Sequence, residues 1–246
     1  MWINLALNTL GGILAGLAFA VWGWLRRRLA NWQFQQIFGS GVSKRAFSLI
    51  YEELALAKPS SPFPYVKPGG DPSSAFSISR PVPVCTVRAL NYLAGTIGKN
   101  AGTTPNVQSD LDTRSLLDFD FVSFGGPGSN FKTADCQSNS GNRLAIFDQP
   151  RDRFISLSDG KPLVEFASGF DYGLILKVRP SQFPRRVWIV CAGWGEWGTS
   201  GAAWYLANKW DQIRKEAGNR PFAVLVRLRP GQDESVEVLR IIVAQA

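Results

Sequence analysis

The sequence predicts an α/β protein with a single N-terminal transmembrane helix, followed by a mixed-sheet domain that ends in an antiparallel pair of strands. Three observations carry this expectation. Leu5 to Leu25 is a run of 21 residues without a charge. The apolar runs Asp118–Phe124 and Val187–Ala192 each open into a glycine turn, the outline of a buried strand feeding a helix. Phe222–Leu228 and Val236–Val243 flank a connection short enough to make them a hairpin.

At 1.5 Å per residue the first run reaches about the ~30 Å of a hydrocarbon core. Only Met1 to Asn4 precede it and Arg26, Arg27 and Arg28 follow it, so it reads as a retained anchor rather than a cleaved signal. The arginines place the carboxyl side in the cytoplasm and the N-terminus outside, at the inner membrane, with Trp22, Trp24 and Trp32 near the interface. A buried core helix is the alternative. Gly12, Gly16 and Ala20 recur every four residues, which suits close helix pairing and a homo-oligomer, although small residues are also common in membrane spans. The expected organisation is an anchor over 1–30, a juxtamembrane helix and hinge over 31–45, and a cytoplasmic ligand-binding domain over 46–246.

Leu29 to Phe38 reads as an amphipathic continuation stopped by Gly39-Ser40-Gly41, a hinge candidate. A strand is expected at about 46–51, where Phe47, Leu49 and Tyr51 alternate, although Glu52, Glu53 and Leu54 favour helix. Lys58 to Pro83, rich in Pro, Ser and Gly, reads as an irregular excursion, a lid or mobile loop. Val87, Leu90, Leu93, Ala94 and Ile97 mark a helix over 84–98, and the polar stretch 99–114 reads as loop. After the first glycine turn, strand-like runs are expected at Arg143–Phe147, Arg153–Leu157 and Leu163–Phe166. Tyr172–Val178 and Val187–Ala192 have the apolarity of central strands. A helix then runs over 202–217, with Ala203, Leu206, Trp210 and Ile213 on one face and Gly218 at its exit.

Composition excludes several function classes. The chain of 246 residues has no histidine, which removes His-based catalysis and His-ligated metal sites. Cys85, Cys136 and Cys191 are far apart and odd in number, which argues against a disulfide framework and against paired-cysteine zinc. The formal charge of +8 is scattered over residues such as Arg179, Arg185, Arg227 and Arg229, with Arg26–Arg28 beside the apolar run. That pattern argues against a nucleic-acid groove and favours small anionic ligands or lipid headgroups. No cofactor is assigned.

In an open α/β sheet, ligands bind beyond the carboxyl ends of strands where adjacent turns diverge. Gly125-Gly126-Pro127-Gly128-Ser129-Asn130 and Gly193–Gly201 are two such turns. Placed side by side, they would offer backbone amides and the side chains of Ser129, Asn130, Thr199 and Ser200 to an anionic ligand, with Trp194 and Trp197 to stack on a base. The bland alternative is that both are tight connections packed on their own helices. Neither carries a dinucleotide fingerprint or a Walker loop.

The strand leading into GGPGSN, with a later strand leading into GTSGAAWYLA, resembles the Rossmann-like ligand-sensing domains of SLOG type that bacterial antiviral defence effectors attach to membrane anchors. The resemblance covers mainly 118–130 and 187–207. It implies a nucleotide or nucleotide-derived ligand held at Gly125, Gly126, Asn130, Gly198 and Thr199. Pro127 and the tryptophan-rich second turn depart from the pattern. Three readings follow: a membrane-anchored sensor or effector that binds a nucleotide-like ligand at the two turns, a nucleosidase or NAD-cleaving enzyme using Glu196, and a membrane-tethered scaffold without ligand. Glu196 is the acidic residue of the second turn, able in principle to act as nucleophile or base on a ribosyl bond.

Overall fold

A computed structural model describes residues 2–44, 46–54, 64–65, 76–77 and 81–245; of 2–15, 64–65 and 76–77 it describes only the backbone. In chain order the elements are α1 (Trp2–Phe38), β1 (Phe47–Tyr51), β2 (Pro64–Tyr65), β3 (Phe76–Ser77), α2 (Val84–Ala101), β4 (Asn106–Ser109), β5 (Asp120–Phe124) and α3 (Phe131–Ser138). They continue with β6 (Ala145–Asp148), β7 (Arg153–Ser156), β8 (Asp171–Val178), β9 (Trp188–Trp194), α4 (Gly198–Ala217), β10 (Phe222–Arg229) and β11 (Gln232–Val243).

Seven strands form one mixed sheet in the order β11-β10-β8-β9-β5-β1-β4. β4, β1, β5 and β9 are parallel, while β8 runs antiparallel between β9 and β10, and β10–β11 is the expected hairpin. The central strands β5 and β8 are buried along their whole length, which is why they read as near-continuous apolar runs. One face packs against the end of α1, α2 and α4 through residues such as Phe38, Leu93, Val122, Cys191 and Leu206. The other packs against α3 and the β6–β7 hairpin through Phe121, Cys136, Phe154, Tyr172 and Trp188.

The single-pass membrane reading is corrected, and with it the inner-membrane placement with an outer N-terminus. Among the described residues, no helix is long and apolar enough to cross a membrane. The charge-free run within α1 ends at Leu25. Arg26–Arg28 follow it. Beyond the arginines the helix belongs to the domain: Phe34, Ile37 and Phe38 are fully buried, and Phe34 sits 4.5 Å from Phe38 and edge-on to Trp210 at 5.0 Å. Gly12 and the earlier part of the expected span lie outside the described side chains. Gly16 and Ala20 are exposed, with nothing within 4 Å of a Cβ added at Gly16.

The hinge candidate is a tie. Gly41 N donates to Oδ2 of Asp120 at 2.8 Å, and the other oxygen accepts from Val187 N at 2.7 Å. Gly39 takes φ +86°, and a Cβ there would lie 2.9 Å from the Asp120 carboxyl. Lys177, fully buried on β8, adds a second tie by donating to Gln36 O at 2.5 Å and Asn219 O at 3.2 Å. An amine at the carboxyl end of α1 supplies a donor to one of the carbonyls that the helix end leaves without an intrahelical partner.

The stretch 99–114 contains β4, an edge strand too short and polar to show periodicity, and Leu163–Phe166 forms no strand. Most of the Lys58–Pro83 excursion lies outside the described residues.

Candidate functional site

The chain diverges between β1 and β5. From β1 it passes through α2, on the face shared with α4, to β4; from β5 it passes through α3, on the opposite face, towards β8 and β9. A crevice at the carboxyl ends of two parallel strands with diverging exits is the usual ligand position in an open α/β sheet. Asn130 stitches this point together. Its Nδ2 donates to Ile50 O at 3.3 Å and Phe124 O at 2.8 Å, while its Oδ1 caps α3 by accepting from Lys132 N and Thr133 N.

Gly125 begins the turn at φ +91°, with its N–H on Cys191 O at 3.1 Å. A Cβ at Gly125 would lie 3.1 Å from Oε1 of Glu52, the residue that leaves β1. Glycine is therefore required here for its left-handed φ and for the close approach of a carboxyl. Glu52 is 3% exposed. Its Oε1 accepts from Thr86 Oγ1 at 2.7 Å, and its Oε2 is buried without a hydrogen-bond partner among the described residues. Burial pushes the Glu52 carboxyl up to about 7, opposed by the Thr86 hydroxyl and by the backbone amide of Glu52 itself, with the nearby Asp110 charge adding a smaller push upwards. Asp110 leaves β4 and is itself satisfied, accepting from Glu53 N at 3.0 Å and Phe131 N at 2.9 Å.

The first turns of α3 are thus not an open anion cradle: Asp110 takes the Phe131 amide and Asn130 takes the next two. Ser129 turns back to Gly126 O at 3.1 Å, and Gly126 lies against the Phe147 ring. Asn130 has both polar atoms engaged inside the protein, so its role here is to hold two strand ends and a helix in register.

β5 and β9 are neighbours, with Phe124 opposite Cys191, so the two glycine turns leave adjacent strands, but α3 and α4 depart over opposite faces. In the second turn Trp197 N donates to Asp171 Oδ2 at 2.7 Å, and the Arg88 guanidinium lies over the Trp197 ring at 5.1 Å. Trp194 turns the other way, stacking on Phe166 at 4.2 Å and donating Nε1 to Asp152 at 2.6 Å. Gly198, Thr199 and Ser200 are buried where α4 packs on β8 and β9, and a Cβ at Gly198 would run into Tyr172 O. Ser200 Oγ donates to the fully buried Asp233 at 2.7 Å, which also accepts from Arg88 and from Tyr92 at 2.8 Å. These contacts lock α2, α4 and the start of β11 together. Glu196 stands exposed in the turn.

No known family model, characterised protein or solved structure matches the chain. The site therefore rests on its own geometry. Among the described residues no group of three or more His, Cys, Asp or Glu could hold a metal ion. Cys136 and Cys191 are buried in the two cores, and burial pushes both thiols far up, which makes them inert packing groups.

Glu52, Thr86 and Asp110 are the residues that sequence reasoning missed. Glu52 sits directly after the alternating run Phe47–Tyr51, at the carboxyl end of a strand, and that position was the available signal. Asp110 and Thr86 carried none, because only the fold brings β4 and α2 to this point.

Proposed function

We propose that this domain is a sensor that takes a nucleotide-like anionic ligand where the chain diverges at the carboxyl ends of β1 and β5. The observation that carries the reading is Glu52, a buried carboxyl at the divergence point whose Oε1 lies against Thr86 and the Gly125 turn and whose Oε2 has no partner among the described residues. An unmet polar atom in a protein interior costs about 1–3 kcal/mol, and a ligand that satisfies it regains that energy. The likeness of the two glycine turns to SLOG-type domains supports the same ligand class and a role in antiviral defence signalling. An enzymatic reading centred on Glu196 has no geometric support, since that side chain is exposed in its turn.

The test is thermal shift and calorimetry on the full chain with AMP, ADP-ribose and NAD, beside Gly125→Leu, whose side chain would occupy the approach to Glu52. A ligand at a hundred times its Kd stabilises by roughly 2.7 kcal/mol. Binding in the wild type with at least a tenfold loss in a folded Gly125→Leu protein supports the site. Absence of binding by all three compounds overturns it.

A further inference from the structure

A cavity of about 590 Å³ opens near the amino ends of β1 and β4, the opposite end of the parallel strands from Glu52. Leu116, Leu117, Phe119 and Phe183 line it, together with Ser48 of β1 and Gln108 of β4. Ser48 Oγ donates to Gln108 Oε1 at 2.9 Å, so that hydroxyl is already engaged and the four large apolar side chains set the character of the walls. The volume falls within the roughly 300–1,000 Å³ of small-molecule sites.

The walls are held by the protein's own bonds. Lys132, fully buried on α3, donates Nζ to Leu116 O at 2.8 Å and to Arg114 O at 3.2 Å, which pins the segment between β4 and β5. Phe119 O accepts from Trp188 Nε1 at 3.2 Å, and the Phe119 ring lies 5.3 Å from Phe121. Arg186 N donates to Phe183 O at 2.8 Å, a turn that sets Phe183 and Arg185 close together just before β9. Groups fixed in advance spare a ligand the cost of ordering them.

Phe183 and Asp118 line both this cavity and a second hollow of about 460 Å³, whose lining also includes Ser40, Arg185 and Arg186. The two hollows therefore adjoin. Arg186 Nε donates to Asp118 Oδ1 at 2.7 Å, so these two charges answer each other. Arg185 is exposed and has no ion-pair partner among the described residues. An apolar cavity thus opens beside one uncompensated guanidinium, whose planar fork fits a carboxylate.

We propose that the adjoining hollows bind a small apolar carboxylic acid as its anion, with the uncharged body in the first and the carboxylate on Arg185 in the second. A phosphate dianion is the poorer match, because a single unpaired cation faces it and Asp118 stands alongside. The site lies at the far ends of the strands from the one proposed at Gly125 and Glu52 and does not depend on it.

The experiment is calorimetry of 2-naphthoate, and of 2-naphthamide as its neutral counterpart of similar shape, with the full chain, Arg185→Gln and Ala46→Trp. Ala46 is an exposed residue of the first cavity's lining, so the substitution fills that space without opening the core. The wild type should bind the carboxylate about fivefold more tightly than the amide, the upper range for an exposed ion pair. Arg185→Gln should remove that preference by weakening the carboxylate alone, and Ala46→Trp should weaken both compounds by about tenfold or more. Naphthoate affinity weaker than about 1 mM in the wild type, equal affinity for the two compounds, or unchanged binding in either variant overturns the proposal. Unchanged binding in Ala46→Trp would place the compounds elsewhere, as on the exposed apolar side chains of α1.

Discussion

Thr86 donates its hydroxyl proton to Oε1 of Glu52 across 2.7 Å, tying the first turn of α2 to the carboxyl end of β1. The same Oε1 lies beside Gly125, and the second carboxylate oxygen is buried with no hydrogen-bond partner among the described residues. The carboxyl is expensive to ionise in the folded chain, and the cost is measurable without any ligand.

Glu52 should make the protein less stable as pH rises. Its folded value is about 7 against an ordinary 4.5, so between those limits the folded state keeps a proton that the unfolded state releases. The stabilising contribution is complete below about pH 4.5, falls through the interval, and is gone above about pH 7, a change on the order of 3 kcal/mol. Urea unfolding at pH 5 and pH 7.5 should show this loss in the wild type and a flatter profile in Glu52→Gln. Equal slopes in both would show that the carboxyl is solvated.

Lys177 should act in the opposite sense in the next interval. Burial lowers its ammonium from 10.5 to about 7, so from there to about pH 10.5 the unfolded state binds the extra proton and stability rises with pH. Between pH 7.5 and 9.5 this amounts to about 2 kcal/mol. Lys177→Met should lose that rise, as read from unfolding midpoints. It should also be less stable at pH 9.5, because Gln36 O and Asn219 O lose their shared donor.

Asp120→Ala removes the acceptor for two buried amides, Gly41 N and Val187 N, and should cost about 2–4 kcal/mol. Gly41→Ala should cost at least 1 kcal/mol by a different route, since the added methyl would run into the Asp120 carboxyl. Chemical denaturation of both checks whether the turn after α1 is a tie. A neutral result for both would restore it as a free hinge.

The end of α1 is part of the core. Phe34→Ala should destabilise by about 3–5 kcal/mol, whereas Leu29→Ala, at a position 53% exposed, should fall within about 0.5 kcal/mol of the wild type. Removal of residues 1–38 should yield a poorly folded domain, while removal of 1–28 should leave the core intact, as read by circular dichroism and proteolysis. A stable product lacking 1–38 would contradict the packing of Phe34, Ile37 and Phe38.

By itself the sequence determined the elements whose side chains repeat with a clear period. β1, α2, β8, β9, α4 and the β10–β11 hairpin stand where the alternation in Phe47–Tyr51, the helical spacing in Val87–Ile97 and the apolar runs of Tyr172–Val178 and Val187–Ala192 place them. Both glycine turns were legible as strand exits, since positive φ at Gly125 and Gly195 selects glycine locally. Only the tertiary structure decided what those exits do. The α3 amides that a free helix would offer to an anion are taken by Asn130 and by Asp110, 20 residues upstream of Asn130 in a stretch without periodicity. Glu52 became the focus of the site because α2 brings Thr86 to one of its oxygens and the fold removes water from the other. The end of α1 joined the core because Trp210, far along the chain, and Phe47, beyond the turn, close around Phe34 and Phe38. Burial and partnership are properties of residues distant in sequence, and local patterns of polarity carry no record of which of them will meet.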